Sequence, residues 1–174
     1  MDAARTFLDR ELLLAGIVHE LRGPITAVCG FIELEEDHPR PSLEAAVDRL
    51  TSLVNALSDS SVAPPARDTF RGVPVTVKGP LEVLEVAIAG LPHRSVDVTE
   101  GAEHVALAIA GVPIEELAAG WSIAQVRRWL AEGGPGLAGG RLRIAARIVG
   151  ALRYTFPIVS GETEATVHIR LARG

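Results

Sequence analysis

At 174 residues, with 48% hydrophobic and 22% charged side chains, the chain is long enough to bury a core as one medium domain or two small ones. A formal net charge of -5 argues against a nucleic-acid surface, and Cys29, the only cysteine, excludes an intrachain disulfide and reads as a small buried apolar group. Residues 1–11 carry Asp2, Arg5, Asp9, Arg10 and Glu11, unlike a signal peptide, and the wholly apolar run Leu12–Val18 falls far short of the roughly 20 residues of a membrane span; a soluble, cytoplasmic protein with no membrane partner is the expectation.

The first helix is predicted from about Asp2 to Glu36. Leu8, Leu12, Ala15, Val18, Ile25, Val28 and Ile32 recur at spacings of three, four or seven, so one stripe is buried. His19 follows Val18, lies off that stripe and is expected to face solvent. A neutral imidazole nitrogen is a good nucleophile near neutral pH, and Glu20, the next residue, is a candidate to orient the ring or take up its proton. Pro24 lacks a backbone N–H and crowds the carbonyl of Glu20, which predicts a bend or loosening just after the histidine. An isolated His-Glu pair is commonly an ordinary surface pair; the run HELRGPITAVCGFIEL, residues 19–34, is what sets this one apart. His38, His93, His104 and His168 have no comparable setting and read as structural or solvated.

Pro39 and Pro41 forbid continuation of the first helix, and Ser42 is expected to cap a second. Its apolar positions Leu43, Val47, Leu50, Val54 and Leu57 form a seam, so residues 1–62 are read as an antiparallel helical hairpin. A lone hairpin leaves one flank of each stripe wet; packing against a second copy as a four-helix bundle, or against the rest of the chain, covers it, and a homodimer is the expected solution. Residues 58–68, SDSSVAPPARD, read as a linker. A second domain, 69–174, is predicted with strands at 73–77, 95–99 and 104–109, helices at 81–91, 122–132 and 141–152, and a closing hairpin of 153–159 with 165–171. Ser122 with Gln125 makes a capping box. Gly133–Gly140 reads as a flexible joint between helices rather than a phosphate cradle, and Trp121 and Trp129 as core. The fold class expected is α+β, a helical hairpin followed by an α/β sandwich.

The run His19–Leu34 resembles the dimerisation and phosphoacceptor helix of bacterial sensor histidine kinases, whose motif reads roughly H-E-L-R-x-P-L-T-A-I-x-G-x-x-E-L. His19, Glu20, Leu21, Arg22, Pro24, Thr26, Ala27, Gly30, Glu33 and Leu34 match it. The second half resembles, more weakly, the ATP-binding GHKL fold of the same kinases: Gly111–Leu117 looks like its G-I-P-x-E-x-L, and Gly136-Leu137 with Leu142, Ala146 and Arg147-Ile148-Val149 looks like its second glycine box. By that register Leu107 replaces the adenine-binding aspartate and Ile109 a glycine. Asn55, the only asparagine, lies in the second helix, and no aspartate follows Asp97, so the magnesium-chelating asparagine box has no counterpart.

A phosphoacceptor hairpin on a degenerate ATP-binding fold is similar to histidine phosphotransferases of bacterial phosphorelays. The resemblance implies a homodimer that carries a phosphoryl group on His19 between the aspartates of response-regulator receiver domains, with a hybrid sensor kinase as a further possible partner. It implies docking around Ala15, Arg22, Gly23 and Thr26, no cofactor or metal of the chain's own, and Mg²⁺ on the receiver. The comparison family has Asp where this chain has Glu20. Gly23 replaces the Thr or Asn that positions a hydrolytic water in sensor kinases, which implies weak phosphatase activity. Two alternatives stand beside this: a pseudokinase-type module that docks a regulator or kinase without phosphotransfer, and a divergent kinase that still charges His19 from ATP.

Overall fold

Period-two alternation builds the sheet. In strand β4 (His104–Pro113) Val105, Leu107, Ile109 and Val112 are buried, and in β6 (Glu164–Arg173) Ala165, Val167, Ile169 and Leu171 are, while their neighbours face outward. The computed structural model describes residues 2–34, 41–58, 64–117, 122–157 and 161–174. Strands β1 (Ala66–Phe70), β2 (Val73–Val77) and β3 (Ser95–Glu100) complete a mixed-length antiparallel sheet of order β1-β2-β6-β4-β3, and the short β5 (Arg153–Thr155) pairs β6 beside β2. β1 and β2 are joined by Arg71 and Gly72, both with positive φ (50° and 84°), the backbone that a two-residue hairpin requires. Among the described residues the chain is therefore α+β, with a six-stranded sheet.

The buried face meets Leu84 and Ile88 of α3 (Leu81–Ala89) and Leu142, Ala145 and Ile148 of α6 (Leu137–Ile148) in one continuous core. α5 (Ile123–Glu132) adds Val126 and Trp129, and the single turn α4 (Ile114–Leu117) adds Leu117. The first helix, α1 (Asp2–Leu34), enters the same core: Leu8 and Leu12 are fully buried in it, and α1 packs on α3, α5 and α6. Burying each leucine stabilises this docking by about 1.5–3 kcal/mol. Further along, α1 pairs with α2 (Pro41–Ser58), whose Val47 and Val54 are buried. By length and composition Ala3–Gly30 is apolar enough to cross a membrane, although no wholly apolar run in it approaches that length; its first half is in part core.

Several expected boundaries move. α2 begins at Pro41, so Ser42 lies inside the helix rather than capping it; proline is favoured in a first turn, where its missing N–H has no helical partner. Residues 66–68, expected in the linker, are paired in β1, whereas 59–63 fall outside the described residues, as do His38 and Trp121. β4 runs on through Gly111 and Val112 to Pro113, past an irregularity in its pairing with β6. The largest change is α6, which starts four residues before its expected start and contains Gly139 and Gly140. These glycines are not a flexible joint. A Cβ on Gly139 would lie 1.9 Å from the carbonyl oxygen of Glu116, so the backbone of α4 rests directly on α6 at a point where only glycine fits. The capping box at Ser122 and Gln125 is present, each side chain bonding the other's backbone N–H at 3.2 Å.

Candidate functional site

His19 is exposed on α1, as its place beside the apolar stripe predicts. Ala15, His19 and Arg22, spaced four and three apart, share a face of α1. That face looks onto α6, where Arg143 and Arg147, four apart, flank Ile144. Together these side chains line a groove of about 220 Å³ between the two helices. An ion pair one helical turn and more toward the N-terminus, Arg141 Nε to Asp9 Oδ1 at 2.5 Å and partly buried, holds α6 against α1 there.

Arg143 is held from the far side. Its guanidinium sits 5.8 Å from the ring centre of Tyr154 and 5.7 Å from that of Phe156, which themselves meet edge to face at 5.9 Å. Burial pushes the Tyr154 hydroxyl above its ordinary pKa, and the nearby Arg143 charge and hydrogen bond offset part of that rise. The groove thus carries His19 and Arg22 on its α1 side and Arg143 and Arg147 on its α6 side, with Val18 and Ile144 between them.

Glu20 points elsewhere. Its Oε1 accepts the backbone N–H of Ile123 at 2.6 Å, placing a carboxylate on the first turn of α5, where the unpaired N–H groups and helix dipole favour negative charge. Gly23 is exposed, and a Cβ there would meet nothing within 4 Å. Exposed Thr26 donates its hydroxyl to the carbonyl of Arg22 at 2.8 Å. Pro24 sits within α1 without ending it. Of the expected site residues, Ala15, His19 and Arg22 come together at the groove; Glu20 faces α5; Gly23 and Thr26 are not among its lining residues.

Sequence reasoning missed Arg143 and Arg147 as site residues. Their spacing of four was a visible sign that they share a helical face, but nothing in the sequence says that this face meets α1. At the other end of α6, Glu116 Oε2 accepts the N–H of Gly136 at 3.1 Å, so a carboxylate from within the chain already sits at that helix start. Leu107 and Ile109 are fully buried in β4. A scan against protein-family models finds no match, and a search of curated proteins finds no similar sequence.

Proposed function

We propose that the chain is a histidine phosphotransferase of a bacterial two-component phosphorelay, acting in the cytoplasm. The observation that carries this is the exposed imidazole of His19, borne on a helix whose residues 19–34 match a phosphoacceptor motif and lining a groove together with three arginines. In the reaction, the lone pair of a neutral His19 nitrogen attacks the phosphorus of a receiver's aspartyl phosphate. The N–P bond forms, the P–O bond breaks, and its electron pair leaves on the receiver's carboxylate. The proton on the other ring nitrogen then passes to solvent, since the carboxylate of Glu20 is turned to the first turn of α5. Passing the group to a second receiver reverses these steps. Mg²⁺ belongs to the receiver, where it offsets charge on the transferred group.

The second half is read as a GHKL-like fold that no longer charges His19 from ATP. Support comes from Glu116, whose carboxylate sits where a phosphate would meet the start of α6, and from the aliphatic residues Leu107 and Ile109. The hairpin is read as one half of a dimeric four-helix bundle. Leu21, Val28 and Leu50 remain 41%, 38% and 51% exposed, and with Pro24, Ile25, Val47 and Val54 they border a wholly apolar groove of about 230 Å³ along both helices. A second copy presents the same stripe and covers it by symmetry.

The test is to mix the purified protein with a phosphorylated receiver and follow acid-labile, base-stable label. Label on the wild type and none on His19→Ala supports the proposal; no label with any cognate receiver refutes it. Label from ATP alone would instead make it a kinase. The bond from Ile123 to Glu20 favours one other reading, a docking module held closed on α5, in which His19→Ala keeps full activity in the cell and changes at Ala15, Arg22 or Thr26 abolish it.

A further inference from the structure

We propose that Arg22, Arg143 and Arg147 form an anion seat that holds the phosphoryl group once it is on His19, so that the C-terminal half takes direct part in phosphotransfer. This rests on the reading of His19 as the phosphoryl acceptor and goes beyond it, because two of the three arginines belong to the second half of the chain, to which that reading gives no step in the transfer.

The groove between α1 and α6 is lined on one side by His19 and Arg22 and on the other by Arg143 and Arg147. Its volume, about 220 Å³, exceeds that of a phosphoryl group and leaves room for an approaching carboxylate. A phosphoryl group on an imidazole carries close to two negative charges and three acceptor oxygens. Guanidinium groups suit it, since each presents several N–H donors in a planar fork. Arg143 is preorganised by Tyr154 and Phe156, which stack beside it and limit the side-chain entropy it loses on binding. The position of the wall is set by Asp9 with Arg141 and by buried Leu8 and Leu12, which hold α1 on the body. The ligand chemistry is therefore a phosphoryl dianion, and its source is the covalent adduct of His19.

Charging by phosphoramidate tests this without a receiver. The imidazole nitrogen attacks phosphorus, the N–P bond of the reagent breaks and ammonia leaves, so the amount and lifetime of phosphohistidine can be read by ³¹P NMR. Arg147→Gln is the principal variant because Arg147 is exposed and its loss leaves the core intact. Its phosphohistidine should be about three- to tenfold less abundant or shorter-lived than the wild type's, the range for losing one charge-assisted contact at a partly exposed site. Arg147→Lys should restore part of the effect, and far-UV circular dichroism should be unchanged. Arg143→Gln should add to it. Wild-type yield and lifetime in Arg147→Gln and Arg143→Gln, with no label in His19→Ala, would overturn the seat while leaving phosphotransfer standing. Charging that depends on these arginines, in a protein that takes nothing from any receiver, would uphold the seat and overturn the phosphorelay reading. Saturable binding of inorganic phosphate to the wild type that is lost in Arg147→Gln, with phosphohistidine yield and lifetime unchanged in the same variant, would reassign the groove to a diffusible anion and overturn the covalent assignment.

Discussion

Two glycines inside helices should respond to the same substitution with opposite sign. Alanine is worth about 1 kcal/mol more than glycine in a helix interior. At Gly30 of α1 a Cβ meets nothing within 4 Å, so Gly30→Ala should raise stability by about 0.5–1 kcal/mol. At Gly139 of α6 the new Cβ would lie 1.9 Å from the Glu116 carbonyl oxygen and 2.8 Å from its carbon, both backbone atoms that no rotamer change can move aside. Relief requires α4 to withdraw by more than an ångström, which loosens buried Leu117 and the bond from Gly136 to Glu116. Overpacking costs about 1–3 kcal/mol and a lost charge-assisted bond about 1–3 more, against the helix gain of about 1, leaving a net loss of roughly 1–5 kcal/mol. Urea unfolding followed by circular dichroism measures both variants. In a domain of this size the loss lowers Tm by on the order of 10 °C. A Gly139→Ala protein as stable as the wild type, with an unchanged m-value, would refute the packing of α4 on α6.

Tyr154 is the only tyrosine, so its titration can be followed by ultraviolet absorbance, and its midpoint should lie above the usual value of about 10. Because the folded state binds that proton more tightly than the unfolded chain, stability from this group is full below pH ~10 and falls as pH rises above it. Arg143→Gln should move the midpoint further up, and a downward shift would contradict the stacking described. Asp9→Asn leaves Arg141 with only 14% of its side chain exposed and a weakened partner; urea unfolding should show a loss of about 1–3 kcal/mol. Glu20→Gln should cost less, about 0.3–1 kcal/mol, and hydrogen exchange should quicken mainly in the first turn of α5. Sedimentation should find a dimer that Leu21→Glu with Leu50→Glu converts to a folded monomer; a wild-type monomer at micromolar concentration would refute the bundle.

What could be read from the sequence was what is local. The exposure of His19 follows from the stripe beside it, and the Ser122–Gln125 box needs only partners three residues apart. β1 escaped notice because Phe70 is its only buried residue and its turn, Arg71-Gly72, lacks the Asn-Gly or Asp-Gly pair that advertises a hairpin. α6 was started too late because Gly139 and Gly140 are poor helix formers, and the reason for Gly139, the close approach of Glu116, lies more than 20 residues away. The groove was illegible for a related cause: Arg143 and Arg147 gain meaning only when α1 docks across α6.

That docking bears on how the protein can be taken apart. α1 is a single 33-residue rod, and its two ends serve different neighbours, α2 at one and the sheet-backed helices at the other. Scission near residue 63 would yield an N-terminal piece with Leu8 and Leu12 stripped of their surroundings and a C-terminal piece with a matching scar. Each half would be sticky alone, and the pair would heal into one body when mixed.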